Sequence, residues 1–210
     1  MSLWEMFSKG GVVMYFLAIC SVISLMIILE RIWRFWKGKA ENPQVTKRVE
    51  ALLKGKSLKE ALRLAEDKRG PMTDVMAAGI RQFEIEPDIE NIEKAIERTG
   101  SKKLQGLEVN LNILNTIGNI SPLLGLLGTV TGMVRCFMQI EKLGGRVDVS
   151  QLASGIWEAM LTTAFGLTIA IPCLLFYSYF MGKVDQLEIM IKEVSEDLIS
   201  ILSKWGKDGA

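Results

Sequence analysis

Three stretches of this chain run for roughly 20 residues or more without a charged side chain: Gly10 to Leu29, Val109 to Val134 and Ala159 to Gly182. A helix rising about 1.5 Å per residue needs about 20 apolar residues to cross the hydrocarbon core of a bilayer. Burying three such helices inside a soluble protein would take a much larger domain than 210 residues provide. In lipid, each backbone N–H and C=O must be satisfied within its own segment, which selects helices. The expected fold is all-α: an integral membrane protein with three transmembrane helices, two of them extended into a cytoplasmic helical bundle.

The first run does not read as a cleaved signal peptide. Its leading segment MSLWEMFSK is not clearly basic, and no small-x-small cleavage site follows. LAIC, ending at Cys20, has the bulky Ile19 where a lipoprotein cleavage box needs a small residue. The run ends instead in ERIWRFWKGK, a basic and aromatic stop, so an uncleaved membrane helix is expected.

Basic residues set the orientation. Arg31, Arg34, Lys37 and Lys39 follow the first run, Lys102 and Lys103 precede the second, and Lys183 follows the third. The opposite ends carry Lys9, Arg135, Lys142 and Arg146, partly balanced by Glu5, Glu141 and Asp148. The N-terminus is therefore expected in the periplasm and the C-terminus in the cytoplasm. Trp4 and Phe7, then Trp33, Phe35 and Trp36, fit aromatic belts at the two interfaces. The expected organisation is 1–29 for the periplasmic end and first membrane helix, and 30–108 for a cytoplasmic helical region. Residues 109–138 form the second membrane helix and 139–157 the periplasmic loop with the start of the third helix. Residues 158–182 form the third membrane helix and 183–210 a cytoplasmic tail.

Composition closes off several functions. A net charge of +1 offers no field for nucleic acid. The chain has no histidine, the commonest metal ligand and proton shuttle. Cys20, Cys136 and Cys173 lie in or beside the apolar runs without CxxC spacing and read as small apolar packing residues. No nucleophile–base pair or phosphate-binding loop is visible, so neither an enzyme nor a metal or cofactor is expected.

The region between the first two runs reads as helices. SLKE at Ser57 to Glu60 is a capping box opening ALRLAEDK, and Gly70-Pro71 breaks it before MTDVMAAGIRQF. Pro87 is expected in the first turn of a third helix, with Ile89, Ile92 and Ile96 on one face and no clear stop before the second run. In the tail, Val184, Leu187, Ile191, Val194, Leu198 and Ile201 alternate steps of three and four. Such a seam must pack, either within one subunit or between subunits.

The membrane runs themselves are unusually polar. Asn112, Asn115, Thr116 and Asn119 recur along one helix face, which continues through Pro122, Gly125 and Thr129. A polar stripe cannot face lipid cheaply, so it is expected to face other helices or a cavity. Gly128 and Gly132 form a GxxxG pair that permits close helix approach. The third run places Glu158 at its outer end, Thr162 and Thr163 about one turn deeper, and Pro172 beyond. A carboxylate at that depth is either a solvated helix-end acid or functional.

The segments SPLLGLLGTVTGM and WEAMLTTAFGLTIAIP resemble the paired signatures of the MotA/TolQ/ExbB proton-channel family, ExbB/TolQ branch. ILERIWRF and GPMTDVMAAGI look like further family segments, in the same order. MotA is similar in the same helices but has a fourth membrane helix. The resemblance implies a homopentamer in the bacterial inner membrane whose second and third helices line a pore. An ExbD- or TolR-like single-pass partner places its helices there, and proton flow drives work on a TonB- or TolA-like protein. By motif position Thr129, Thr163 and Glu158 match the family's polar pore residues; Thr162, Asn115, Asn119 and Pro122 are expected beside them.

No acidic or basic residue lies in the middle of any membrane run. Threonine hydroxyls donate and accept hydrogen bonds but hold no transferable charge at neutral pH. A proton path would need a carboxylate from elsewhere, and the family's partner helix supplies an aspartate. One charge crossing 100 mV releases about 2.3 kcal/mol. The competing expectation is a non-conducting scaffold in which threonines and glycines serve packing alone.

Overall fold

The computed structural model describes residues 11–37, 43–68, 70–142 and 149–208, with the backbone alone at 34–37, 43, 149–151, 158 and 206–208. Trp4, Glu5, Phe7, Lys9, Lys39, Arg146 and Asp148 lie outside the described residues, as do the side chains of Phe35, Trp36 and Glu158. All described secondary structure is helical. The helices are α1 (Gly11–Lys37), α2 (Pro43–Lys54), α3 (Leu58–Asp67), α4 (Pro71–Ile85), α5 (Ile89–Lys142) and α6 (Val149–Asp208). Three of them, α1, α5 and α6, are long and apolar enough to cross a membrane.

The chain divides into two compact units: Met1–Arg31 with Asn110–Phe180, and Ile32–Val109 with Met181–Ala210. In the second unit, α2, α3 and α4 pack on one another. Their core residues Val49, Leu53, Ala61, Ala65, Met76 and Ile80 meet Ile92 and Ile96 of α5 and Leu187, Ile191, Leu198 and Leu202 of α6. Gly79 makes this fit possible: a Cβ there would stand 2.8 Å from Leu198 Cδ2 and 3.0 Å from Ile96 Cδ1. Phe83 and Trp205 pack edge to face at 6.1 Å.

The tail seam therefore packs within the chain. Val184, Leu187, Ile191 and Leu198 are buried, but Ile201 is half-buried and Leu202 takes its place in the core. An α-helix has 3.6 residues per turn, so a 3.5-residue repeat drifts by about 20° per heptad. After two heptads the next residue faces inward.

Local starts differ from their sequence signals in two places. Ser57 sits at the N-cap of α3, yet its side chain makes no capping bond. Its φ of −102° and ψ of 69° depart from the extended geometry that aims the hydroxyl at the first turn. Pro87 lies before α5 rather than in its first turn. Asp88 takes the N-cap instead: its carbonyl accepts from Ile92 N at 3.1 Å, and its carboxylate faces Asn91 N at 3.4 Å. Ile89 consequently stays exposed while Ile92 and Ile96 are buried. Pro71 opens α4 at its first turn, as the Gly-Pro break predicts.

In the first unit, Ile27 and Ile28 of α1 pack with Leu114 and Ile117 of α5 and Cys173 of α6. Broad apolar faces remain uncovered: Val12, Tyr15, Phe16, Ile19, Met26 and Leu29 on α1, and Leu123, Leu126, Val130 and Phe137 on α5. Arg31, counted from sequence among the basic residues that set the orientation, is fully buried. Its Nε lies 3.6 Å from the carboxylate of Glu30, which also accepts a bond from Asn110 Nδ2 at 3.1 Å. A buried guanidinium is tolerated only when paired, which ties the end of α1 to α5.

Candidate functional site

In the first unit, α5 and α6 cross backbone to backbone at Gly125. A Cβ on Gly125 would stand 2.9 Å from both Thr162 O and Thr163 Cα, so the two backbones touch directly. Gly166 answers from α6: its Cβ would stand 2.5 Å from Ser121 O and 3.2 Å from Gly125 Cα. Further toward the C-terminal end of α5, a Cβ on Gly128 would overlap the Thr162 side chain, and one on Gly132 would stand 2.9 Å from Ala159 Cβ. The GxxxG pair thus faces a matching row of small residues on α6. Lipid supplies no hydrophobic push between helices, so this close packing holds the pair together. Gly166 and the fully buried Ser121 were not singled out from sequence. The small-xxx-small spacings Ser121-x-x-x-Gly125 and Thr162-x-x-x-Gly166 are the signals that could have found them.

The threonines divide by what their hydroxyls do. Thr129 is half-buried and donates to Leu126 O at 2.7 Å. Thr162 is buried and donates to Ala159 O at 2.7 Å, with Gly125 O across the helix contact at 3.2 Å as second acceptor. Thr116, Thr131 and Thr168 likewise bond to carbonyls one turn back. Thr163 differs. Its Oγ1 is buried and has no hydrogen-bond partner among the described residues. A buried hydroxyl left unpaired costs about 1–3 kcal/mol, and such a group calls for an explanation.

The other expected residues spread along the same helices. Asn119 Nδ2 donates to both Asn115 O and Asn115 Oδ1 at 2.9 Å, so the asparagines bond along α5. Asn119, Asn112 and Thr116 are exposed on the single chain, and Asn115 and Pro122 are half-buried. Pro122 sits inside α5 without ending it. It has no N–H to give to the Gly118 carbonyl one turn earlier. Glu158 lies on the helical backbone of α6, and its side chain is outside the described residues.

Beside Thr162 opens a cleft of about 480 Å³ between the three helices, with Thr131, Arg135, Gln139 and Ser154 among its lining residues. Gly11, at the start of α1, forms part of its wall with φ at +64°, a left-handed conformation that favours glycine. A Cβ there would stand 3.2 Å from the Arg135 guanidinium. Among the described residues there is no cluster of three or more His, Cys, Asp or Glu that could hold a metal.

Comparison with known proteins is consistent with this arrangement. The sequence pattern of the MotA/TolQ/ExbB proton channel family matches residues 67–193. An ExbB homolog of Methanothermobacter thermautotrophicus is 31% identical over 96% of this chain and 69% of its own. Biopolymer transport protein ExbB of Pseudomonas putida is 28% identical over 97% of this chain and 64% of its own. Tol-Pal system protein TolQ of Pseudomonas aeruginosa is 28% identical over 89% of this chain and 86% of its own. A match over more than half of the chain, spanning the glycine–threonine crossing of α5 and α6, means that this protein belongs to the MotA/TolQ/ExbB proton channel family, in its ExbB/TolQ branch.

Proposed function

We propose that this chain is the channel subunit of an inner-membrane complex that couples proton flow to mechanical work on TonB-dependent outer-membrane transport, as an ExbB-like protein does. Five copies surround a pore lined by α5 and α6. The N-terminus lies in the periplasm, and the unit built from Ile32–Val109 and Met181–Ala210 lies in the cytoplasm. An ExbD- or TolR-like helix in the pore brings an aspartate to mid-membrane, where this chain's own apolar runs carry no acidic or basic residue. The Thr163 and Thr129 hydroxyls exchange hydrogen bonds with that carboxylate as it gains and loses its proton. The cleft lined by Thr131, Arg135 and Gln139 gives water a route toward this level, and Glu158 shapes the field at the outer mouth. Asn115, Asn119 and Pro122 line the inner stretch of the same pore. A TolQ-like duty in the Tol-Pal system stands beside the ExbB-like one, because the Pseudomonas aeruginosa TolQ and the Pseudomonas putida ExbB are each 28% identical to this chain.

The observation that carries this reading is the buried Thr163 hydroxyl, which has no hydrogen-bond partner among the described residues. Five other threonines on the same helices satisfy themselves locally, so this one is held ready for a group outside the chain. The test is proton-driven uptake by cells carrying Thr163→Val together with Thr129→Val, at unchanged expression and with the single-pass partner still bound. Loss of work in an intact complex supports the proton path. Full activity would return both threonines to packing and favour the scaffold.

A further inference from the structure

The second unit carries two grooves of opposite charge on different faces of α5. One, of about 450 Å³, lies between α5 and α6 over an apolar floor of Ile96, Ile191 and Ile199. Glu93, Glu97 and Glu196 rim it, none with a counter-ion among the described residues, while Lys192 on the same rim is paired with Glu188 at 2.8 Å. The other, of about 980 Å³, includes Arg98 and Lys102, also without counter-ions among the described residues. Its remaining cations are already neutralised, Lys103 by Asp74 and Arg81 by Glu66. Among the described residues, the acidic groove thus keeps three unpaired negative charges and the basic one two unpaired positive charges.

Geometry separates them. Glu93 and Arg98 are five residues apart, as are Glu97 and Lys102, which puts each pair about 140° apart around α5 at about 100° per residue. Within each face the charges repeat at i and i+4, so each face presents two like charges at the same spacing of about 6 Å along the axis. The two faces match in spacing, oppose in sign and point in different directions.

We infer that the acidic groove of one copy receives the Arg98–Lys102 face of the next copy, in a head-to-tail contact. A contact joining two different faces of one chain generates a ring if the rotation closes. Chains embedded in one membrane share its normal, which favours closure around an axis along that normal. Ile96 and Ile191 are already buried in the core and only Ile199 is half-buried, so charge carries the recognition: the glutamates fix register and exclude wrong pairings. This inference rests on the proposed self-assembly and names the surfaces that carry it.

The experiment uses full-length chains with charge-reversed faces, extracted in mild detergent and sized by native mass spectrometry at several protein concentrations. Glu93→Lys with Glu97→Lys reverses one face; Arg98→Glu with Lys102→Glu reverses the other. All four side chains are exposed, and thermal melts confirm that the variants fold. Each two-site variant is expected to raise the concentration at which the assembly dissociates about ten-fold or more, since like charges then meet. The four-site variant, which restores complementarity with the signs exchanged, is expected to regain the wild-type assembly. Unchanged assembly in both two-site variants overturns the inference. So does a defect confined to the basic face, which points to an anionic lipid or acidic protein segment, or a four-site variant that stays dissociated. A wild-type chain that is itself monomeric would instead defeat the proposed self-assembly, a result separable from these by the unmodified control.

Discussion

Thr163→Val should make the isolated chain more stable. Valine keeps the branched shape and replaces only Oγ1, which is buried and has no hydrogen-bond partner among the described residues. Removing that group recovers a desolvation penalty of about 1–3 kcal/mol. A domain of 150–250 residues gains about 2–4 °C in Tm per kcal/mol, so a rise of several degrees is expected. The adjacent residue provides the contrast. Thr162 Oγ1 is bonded to Ala159 O at 2.7 Å, so Thr162→Val forfeits a bond worth about 0.5–1.5 kcal/mol and lowers Tm. Two neighbouring Thr→Val changes should therefore move stability in opposite directions. The assay is the thermal unfolding of the detergent-purified chain alone. A Thr163→Val protein as destabilised as Thr162→Val would show that the hydroxyl is already satisfied within the chain. The case for its being reserved for an outside group would then collapse.

Gly125→Ala should loosen the α5–α6 crossing, because the new methyl would meet Thr162 O and Thr163 Cα at 2.9 Å and backbone cannot step aside; a loss of about 1–3 kcal/mol is expected in the same melts. Ile191→Lys places a charge in the core of the second unit, where Ile191 is 6% exposed, and should cost a few kcal/mol or about ten-fold or more in protease resistance of that unit. Glu158→Ala should leave membrane insertion intact and weaken proton-driven uptake; full uptake would mark Glu158 as a solvated helix-end acid.

The membrane helices were legible because a bilayer imposes a length, and that length is visible as an absence of charge from Val109 to Val134 and its two counterparts. The tail seam was legible for the same kind of reason, since a core face must repeat near the helical period. Its register at Ile201 and Leu202 was not, because straight and supercoiled helices differ there by only tens of degrees. The helix Pro43–Lys54 carried no start signal that sequence reasoning used, and its buried Val49 and Leu53 are defined by what α3 and α4 bring to them. Arg31 read as one of several topogenic cations, because nothing local distinguishes a buried guanidinium from a solvated one. Glu30 and Asn110, 80 residues apart in sequence, make the difference. In the same way, the motif flags both Thr162 and Thr163. Only the crossing at Gly125 decides which hydroxyl bonds across the contact and which is left over.

The contact between Gly125 and Gly166 also has a mechanical meaning. Where side chains separate two helices, rotamer changes act as a compliant layer, and each helix can slide or roll a little against its neighbour. Here Gly166 meets Ser121 O and Gly125 Cα with nothing interposed, so no torsion is available to absorb a shear. Around this point α5 and α6 behave as one laminated beam, far stiffer in bending than either helix alone. A sideways push delivered at Thr163 is taken up by both helices together, without play.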